Sequence, residues 1–433
     1  MKILSYKTSF LISLISKGIF SISGIFSLWI ITKYCTIEEV GKYALTFMVL
    51  NIFYIFSRFG LPELLMYEYT LKDKKEFLFK NILIVSFISS FIGMIVLLFL
   101  SDFIADILHS DISDWLINIA ITLPFMVSID IFLKWYQSNQ NIYKALVPSN
   151  IFRPILFMLF LYLLFNFSDF SHKNIIVISF LFSYLLISIY YFFNLKIPPI
   201  KIKLDFLKQL NFKYAYNNVF TLFLVSFILS IDSFMISRFY TDVEVAIYQV
   251  AIKVIMIATI FNMVIEPIFT SRLVYHKSNN NIKDIEVEHK KISIFGIVYW
   301  ITLFIVFSLY GKDIFNLFGS YEQSLEIFFI FMIGRIFDLA FGLSSGVLNI
   351  FGYSKILLKN TIFLLFLNFI LNYIFIQYIG MVGVAYATAL VFIVQALLRS
   401  YQLKNFININ LYKLYLFVVP LAGFNFYYIK KVF

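Results

Sequence analysis

Eight charged side chains lie inside long apolar stretches of the sequence, where an isolated charge is costly. They are Lys17, Asp130, Arg153, Asp232, Lys253, Glu266, Arg335 and Asp338. A charged side chain at the centre of a membrane helix costs about 2.5–3.5 kcal/mol on insertion scales, so each one must find a partner or face water. Ionisable groups inside membrane segments commonly mark a substrate or ion pathway. These residues are therefore the candidates for a functional site.

Three basic residues are the main candidates for the wall of a wet cavity. Lys17 and Lys253 have no acidic neighbour on their own predicted helix, which favours a cavity role. Lys17 also lies on a stripe of small polar residues in ISLISKGIFSISGIFS, and Arg335 starts a similar stripe. Such stripes are equally typical of helix-packing faces, and Arg335 can pair with Asp338 three residues later. Both interpretations remain open from the sequence.

The carboxylates have different prospects. Asp232 lies late in a predicted span without a basic residue four positions away, so it can bind a proton or a sodium ion, or pair across the bundle with Lys253 or Arg335. Of these alternatives we expect pairing, and Asp338 carries the same ambiguity. Asp130, Arg153 and Glu266 lie nearer predicted span ends, where we expect their side chains to reach the interface. These three are the weaker candidates.

The elements that position these residues are membrane helices. The chain has 433 residues, of which 61% are hydrophobic and 14% charged, whereas a soluble globular protein has about 25% charged residues. About 20 apolar residues cross a hydrocarbon core roughly 30 Å thick. Twelve such spans are predicted near residues 9–31, 43–57, 81–100, 115–133, 145–165, 174–195, 214–236, 246–268, 292–310, 325–349, 360–378 and 381–398. The predicted fold class is an all-α integral membrane protein.

Basic residues alternate between successive loops of this topology. With the N-terminus in the cytoplasm, 24 Lys and Arg residues lie on the cytoplasmic side and 5 on the opposite side. An excess of basic residues in cytoplasmic loops is the usual pattern of membrane proteins. We therefore predict a cytoplasmic N-terminus, and we attribute most of the +11 net charge to orientation rather than to nucleic-acid binding.

The sequence contains an internal repeat. Residues 31–62 and 236–267 match without a gap at an offset of 205, with 10 of 32 positions identical. Six spans per copy give two halves of the same orientation, as in transporters with a central site between parallel repeats. The predicted organisation is a six-helix bundle at 1–196, a basic cytoplasmic linker at 197–213 and a second bundle at 214–404. The tail, 405–433, is predicted to be interfacial or re-entrant, with an extra membrane span as the alternative.

Other chemistry has little support in the sequence. The single cysteine, Cys35, excludes an internal disulfide, and the four histidines, which we place on connecting loops, lack metal-ligand spacing. No Gly-x-x-x-x-Gly-Lys-Ser/Thr loop for nucleotide phosphates occurs. We expect neither a metal nor a cofactor, and we expect transport energy to come from proton or sodium coupling, the membrane potential or consumption of the cargo.

Three segments carry a resemblance to a known superfamily. They are SIDSFMISRFYTDVEVAIYQVAIKV, GVLNIFGYSK with the following LNFILNYIFIQYIGMVGVAYATAL, and EEVGKYALTFMVLNIF with the following RFGLPELL. The chain resembles the polysaccharide flippases of the multidrug, oligosaccharidyl-lipid and polysaccharide exporter superfamily, and among them bacterial O-antigen flippases. The resemblance implies a V-shaped twelve-helix exporter of the inner membrane. Its cargo would be an undecaprenyl-pyrophosphate-linked glycan, and its other partners membrane lipids, a polysaccharide polymerase and a chain-length regulator.

This cargo gives the basic residues a role. A lipid pyrophosphate needs cationic groups to replace its hydration, and we expect Lys17, Lys253 and Arg335 to supply them. One alternative is an ion-coupled multidrug exporter of the same superfamily, which predicts a cavity dominated by carboxylates. Another is a polytopic glycosyltransferase or O-antigen polymerase. Such enzymes typically carry a large outward catalytic loop, whereas the outward loops predicted here are short.

Overall fold

A computed structural model describes residues 6–69, 75–194, 212–279 and 281–432, and every regular element in these ranges is a helix. The chain divides into two compact units, one ending at Ser230 and the other beginning at Ile231. Most of the predicted cytoplasmic linker lies outside the described residues. The boundary falls at a 50° bend in one helix, so the first half of that helix belongs to the first unit, whereas the sequence analysis assigned all of it to the second bundle.

The described residues of the first unit form nine helices and the start of a tenth. Their bounds are α1 Tyr6–Tyr34, α2 Ile37–Ser57, α3 Leu61–Tyr69, α4 Lys75–Leu108, α5 Ser113–Ala120, α6 Leu123–Ser138, α7 Ile142–Val147, α8 Arg153–Phe167, α9 His172–Asn194 and α10 Phe212–Phe239. A π-helical turn, Pro148–Phe152, joins α7 to α8. Wide turns of this kind commonly interrupt membrane helices near prolines.

The second unit contains the end of α10 and seven further helices. These are α11 Asp242–Ser278, α12 Ile282–Asn316, α13 Gln323–Phe341, α14 Ser344–Ile350, α15 Ser354–Ile379, α16 Met381–Ile407 and α17 Tyr415–Val432. Helix α13 is the core of the unit, since 83% of its most apolar stretch is buried. Helices α11, α12, α16 and α17 all pack against it.

The number and positions of the spans agree with the sequence prediction. Ten helices in the described part of the chain are long and apolar enough to cross a membrane, or up to twelve if each of two bent pairs counts as one span. The bent pairs are residues 113–138, with a 47° bend, and residues 218–239. Each of the twelve predicted spans overlaps one of these segments. The chain is thus an all-helical, multi-pass membrane protein.

The two copies of the repeat begin a helix in the same way. Thr36 caps α2 and Thr241 caps α11, and in each case a glutamate three residues later bonds back to the threonine backbone N–H. Glu39 and Glu244 close these two capping boxes, which satisfy donors that a helix start leaves free. The repeat therefore encodes a shared local structure as well as a shared sequence.

The copies diverge at their far ends. In the first copy, Phe59 and Gly60 both adopt positive φ angles and separate α2 from α3, which then begins with Leu61 and Pro62. In the second copy α11 continues unbroken through Pro267 to Ser278. A proline at these shared positions can bend a helix or stop it. Because α11 runs through Pro267, this proline does not stop the helix.

Gly60 is needed where α10 crosses this break. Its φ is +63°, and a Cβ added there would lie 2.3 Å from the backbone oxygen of Ala215. We expect Gly60→Ala to destabilise the protein by about 1–3 kcal/mol from the backbone conformation alone, with the clash adding to this. Thermal unfolding in detergent would measure the loss. The matched control is Gly18→Ala, where an added Cβ meets nothing within 4 Å; equal melting of both variants would contradict the prediction.

The tail forms a helix that packs along the length of α13. Tyr415, at its start, stacks on Phe341, and Tyr428, near its end, packs on Phe329 with ring centroids 5.0 Å apart. The Asn425 amide donates to the backbone oxygen of Phe329 at 2.9 Å. This helix, α17, is not among the ten candidate spans. Its contacts nevertheless follow α13 over much of its length, as a spanning segment would.

Candidate functional site

Asp232 lies at the centre of a buried polar cage in the second unit. Only 5% of the residue is exposed. Its carboxylate accepts hydrogen bonds from the hydroxyls of Tyr248 and Thr388, each at 2.7 Å, and from the amide of Asn372 at 2.8 Å. The donors come from α11, α16 and α15, so the carboxylate links three helices to α10.

The cage also holds oxygen atoms that accept. The Asn372 amide donates to Oδ1 of Asn368 at 2.6 Å, while Oδ1 of Asn372 is buried without a hydrogen-bond partner. A carboxylate, amide oxygens and hydroxyls form the type of ligand set that hard cations prefer. The arrangement can therefore hold either a proton on Asp232 or a small cation beside it.

The expected pairing of Asp232 is wrong. Within the described residues its carboxylate contacts neutral groups and makes no ion pair with Lys253 or Arg335. The physical reason is that three neutral donors already surround both of its oxygens. Neutral hydrogen bonds stabilise a buried carboxylate without cancelling its charge, so the negative charge in the cage stays uncompensated.

Lys253 lies on α11, one turn after Gln249, and is half-buried. Gln249 bonds to the Ser233 hydroxyl at 2.5 Å, next to Asp232 in the sequence. Among the described residues no carboxylate lies within ion-pair distance of the Lys253 amine. A cation so placed is available for an anionic ligand, although its predicted role stays a prediction.

Arg335 and Asp338 form the ion pair that their spacing suggested. Nη1 of Arg335 lies 3.3 Å from Oδ2 of Asp338, and both side chains are largely buried. The guanidinium also stacks on the ring of Phe392 at 4.6 Å, while its Nε is buried without a hydrogen-bond partner. The pair explains how both charges are accommodated. One donor of Arg335 nevertheless stays unused.

Lys17 is exposed on α1 in the first unit. The buried serines of this helix, Ser16, Ser23 and Ser27, follow each other at seven- and four-residue steps. Their hydroxyls donate to backbone oxygens of the preceding turn. These serines form a packing face of α1 that does not include Lys17. Lys17, the candidate for a cavity wall, lies on a different face of the same helix.

Asp130 lies in a cluster of charged and polar side chains that the sequence analysis does not predict. Its carboxylate accepts a short hydrogen bond from Tyr54 and lies 3.4 Å from the guanidinium of Arg58. Arg58 also binds Glu63, so one guanidinium serves two carboxylates. The sequence analysis does not predict this cluster, because Arg58 lies in a predicted cytoplasmic loop, where basic residues are expected to orient the chain. Its long-range partner, 72 residues away, gives no signal in the sequence.

The other two weaker candidates differ from each other. Arg153 does not reach outward: its guanidinium stacks on Tyr184 at 4.5 Å, with Phe20 at 5.4 Å, and its Nε donates to the Ser149 backbone oxygen. Glu266 is exposed on α11, which continues to Ser278. The interfacial position expected for these side chains stays a prediction.

The sequence analysis places all four histidines on connecting loops, and this prediction is wrong for three of them. His289 is fully buried within α12, between the hydroxyls of Ser293 and Ser344 at 3.1 and 3.2 Å. His276 lies within α11. His172 is the first residue of α9, and in the described part of the chain it joins Cys35 and Glu39 in a group whose potential metal-ligand atoms lie within 4.8 Å of one another.

Solved structures with a similar fold are membrane transporters. The chain is similar to "Lipid II flippase MurJ, inward closed conformation", with a TM-score of 0.76, 15% identity and 98% coverage of each chain. It is also similar to an inward-facing multidrug resistance MATE family transporter of the MOP superfamily, with a TM-score of 0.74, 13% identity and coverage of 95% of this chain and 96% of that one. At these identities the matches establish the fold, which is that of the MurJ and MATE exporters.

A third similar structure is a MOP superfamily transporter from Pyrococcus furiosus, described as having a binding pocket of reverse polarity. It has a TM-score of 0.65 and 13% identity, and the match covers 91% of this chain and 94% of that one. No curated protein matches the sequence significantly. In fold, these structural matches agree with the exporter superfamily that three segments of the sequence resemble.

Family membership is shown by the sequence itself. Residues 30–310, more than half of the chain, match the family model Polysacc_synt_3, described as "Polysaccharide biosynthesis protein". The matched range begins just before the first copy of the repeat and runs through the second copy, Asp232 and Lys253 included. The chain belongs to this polysaccharide biosynthesis protein family.

Proposed function

We propose that the protein is a flippase that moves an undecaprenyl-pyrophosphate-linked oligosaccharide, an O-antigen or related repeat unit, from the inner to the outer leaflet. It would act in the bacterial inner membrane, with a cytoplasmic N-terminus, as a transporter rather than an enzyme. Membrane lipids, a polysaccharide polymerase and a chain-length regulator would be its partners. The family match and the MurJ-like fold support this class of cargo.

The observation that carries the proposal is the state of Lys253. A half-buried ammonium within a candidate membrane span, without a carboxylate in ion-pair distance among the described residues, is costly unless an anion or water compensates it. A pyrophosphate supplies that compensation. The buried Nε of Arg335 has no hydrogen-bond partner among the described residues, and Lys17 is exposed on α1. The three residues would contribute by attraction to the headgroup, while the lipid tail stays in the bilayer.

The energy for directional transport would come from a proton or sodium gradient, through binding and release of the cation at Asp232. The carboxylate is buried, has no basic partner among the described residues and is surrounded by polar side chains from three other helices. Binding of a proton or sodium ion would neutralise it and change the hydrogen bonds that link α10 to α11, α15 and α16. A ligand can shift a conformational equilibrium only by its differential affinity for the states, and this cage offers a place for that difference.

An ion-coupled multidrug exporter is the second candidate. The observation that favours it is the similarity to an inward-facing MATE transporter over 95% of this chain. A cationic drug would require carboxylates where we assign Lys253 and Arg335. Efflux of a fluorescent cationic dye from cells that express the protein would support this candidate over the flippase.

A deletion strain tests the proposal. We expect loss of the gene to trap lipid-linked repeat units on the cytoplasmic leaflet, and wild-type protein to release them. In this strain, Lys253→Ala and Arg335→Ala should each release repeat units more slowly than wild type. The expected decrease is roughly 5- to 150-fold if each contact contributes about 1–3 kcal/mol. Lys17→Ala should have a smaller effect because the residue is exposed.

One control variant and two possible outcomes separate the function from the site assignment. Lys312→Ala removes an exposed lysine at the end of α12 and should release repeat units as wild type does. If the deletion traps no lipid-linked units, the flippase proposal fails. If it traps them but all three candidate variants release them fully, the function stands and the assigned residues are wrong.

A further inference from the structure

Three side chains with metal-binding atoms meet at one end of the first unit. Cys35 follows α1, Glu39 lies in the first turn of α2, and His172 begins α9. Their sulfur, carboxylate oxygen and ring nitrogen lie within 4.8 Å of one another. We propose that this cluster, Cys35–Glu39–His172, binds a divalent transition metal ion of the Zn²⁺ type. This inference is independent of the proposed transport function.

The distances suit a tetrahedral ion. Zinc bonds of about 2.0–2.3 Å place neighbouring ligand atoms roughly 3.3–3.7 Å apart. Nδ1 of His172 already lies 2.9 and 3.2 Å from the two carboxylate oxygens of Glu39. Small side-chain rotations would bring the Cys35 sulfur to the same separation. The fourth position would hold water, since the His172 and Glu39 side chains are 41% and 30% exposed.

The carboxylate of Glu39 is already oriented for a ligand. Its Oε2 accepts from the backbone N–H of Thr36 at 2.8 Å and from the Thr36 hydroxyl at 3.2 Å. Nδ1 of His172 lies 2.9 Å from this Oε2 and 3.2 Å from Oε1, which neither Thr36 donor binds. Contacts that hold a ligand's other atom fix its direction and typically matter for metal affinity.

The second copy of the repeat provides an internal comparison. Thr241 and Glu244 form the same capping box at the start of α11. At the offset of 205, however, Tyr240 stands where the first copy has Cys35. The helix cap therefore needs neither a thiol nor an imidazole. A hydrogen bond joins His172 to Glu39, but neither it nor the cap requires a thiol at this place. Metal binding would account for all three side chains together.

The chemistry of the ligands selects the class of ion. A thiolate and an imidazole prefer zinc and neighbouring transition metals, whereas magnesium and calcium prefer oxygen ligands alone. The thiol must lose its proton on binding, so a thiolate and a carboxylate would neutralise the two charges of the ion. The bound metal would tie the connection between α1 and α2 to the first residue of α9 within the first unit.

Cys35 is the only cysteine of the chain, so a thiol reagent reports on this site alone. We expect zinc chloride to slow the reaction of the purified full-length protein with Ellman's reagent by about tenfold or more, as metal coordination removes the free thiolate. EDTA should restore the rate, and magnesium chloride should leave it unchanged. Cobalt chloride should give a thiolate charge-transfer band that Cys35→Ser abolishes.

Matched variants separate metal binding from helix capping. Glu39→Gln and Glu244→Gln both keep a residue that can close a capping box, but only the first removes a proposed ligand. Glu39→Gln and His172→Ala should each lower the zinc affinity, measured as the zinc concentration that gives half protection of the thiol. We expect a decrease of at least roughly 10- to 100-fold, the effect of losing a supporting contact. Glu244→Gln should leave this concentration unchanged. Absence of both zinc protection and the cobalt band in the wild type, or equal protection in all variants, would overturn the proposal.

Discussion

Asp232→Asn is expected to reduce export of the lipid-linked glycan by roughly 5- to 150-fold, the range that a coupling free energy of about 1–3 kcal/mol produces. Asparagine has almost the same size and can still accept hydrogen bonds from Tyr248 and Thr388. It lacks the negative charge that a proton or sodium ion would bind. The substitution therefore fixes the cage in its neutral state while it keeps the packing around it.

The measurement is export under an imposed ion gradient, in cells or in vesicles of inverted membrane. Wild-type export should respond to the proton gradient or to the sodium gradient, and the response should disappear in Asp232→Asn. Thr388→Val removes one hydroxyl near the carboxylate and keeps the charge, so we expect a smaller loss. Asp313→Asn, an exposed carboxylate on α12 of the same unit, should behave as wild type.

A gradient response that survives in Asp232→Asn would show that the cage does not couple ions. If Asp232→Asn exports substrate at the wild-type rate but no longer responds to a gradient, Asp232 would be needed for ion coupling and not for export itself. Full wild-type export together with normal gradient dependence contradicts the prediction. Protein levels in the membrane must be compared in each case, because Asp232 links four helices.

The sequence predicts the helices of this protein well because membrane spans have a strong and local signal. Apolar stretches of sufficient length identify the spans, and the alternation of basic residues tests their count. The repeat similarly predicts that Thr36 and Thr241 begin equivalent helices, since a capping box is complete within four residues. The ion pair of Arg335 with Asp338 is also local, and its spacing alone suggests it.

The partners of the buried charges could not be predicted because they are distant in sequence. Asp232 binds Asn372 and Thr388, which follow it by 140 and 156 residues. His172 meets Glu39 at a separation of 133 residues. The sequence predicts the helices but not the rotation of each helix about its axis. That rotation decides which polar side chains meet. The sequence analysis therefore expects a basic partner for Asp232, where the structure places neutral groups.

For the same reason the sequence does not predict the cluster of Arg58, Glu63 and Asp130 in the first unit. Removal of the Arg58 charge from this cluster has the largest expected effect on stability. The side chain of Arg58 is 12% exposed, and those of both carboxylates are 21% exposed. Arg58→Met keeps the length of the side chain but leaves two carboxylates without their cation. Breaking a buried pair in this way costs about 3–5 kcal/mol. We expect the lower end of this range, because water still reaches part of each carboxylate.

Thermal unfolding in detergent would measure this loss. For a unit of this size, about 3 kcal/mol corresponds to a decrease of roughly 6–12 °C in the melting temperature. The matched control is Arg272→Met, which breaks the pair with Glu288 on the second unit. The Arg272 side chain is 65% exposed, although that of Glu288 is 14% exposed, and pairs that water reaches contribute only about 0–1 kcal/mol. Glu288 also keeps its contact with His276 at 3.3 Å. Equal melting of the two variants would show that the Arg58 cluster is solvated.

A triple variant distinguishes the two origins of the effect. Arg58→Met with Glu63→Gln and Asp130→Asn removes all three charges and keeps the side-chain sizes. If the loss in Arg58→Met comes from unpaired carboxylates, the triple variant should recover most of the stability, since replacing a whole buried ion cluster with neutral groups is often nearly neutral. If it melts as low as Arg58→Met, the loss comes instead from packing of the guanidinium on Tyr54, 5.6 Å from its ring centroid. Arg58 would then stabilise the first unit by contact rather than by charge.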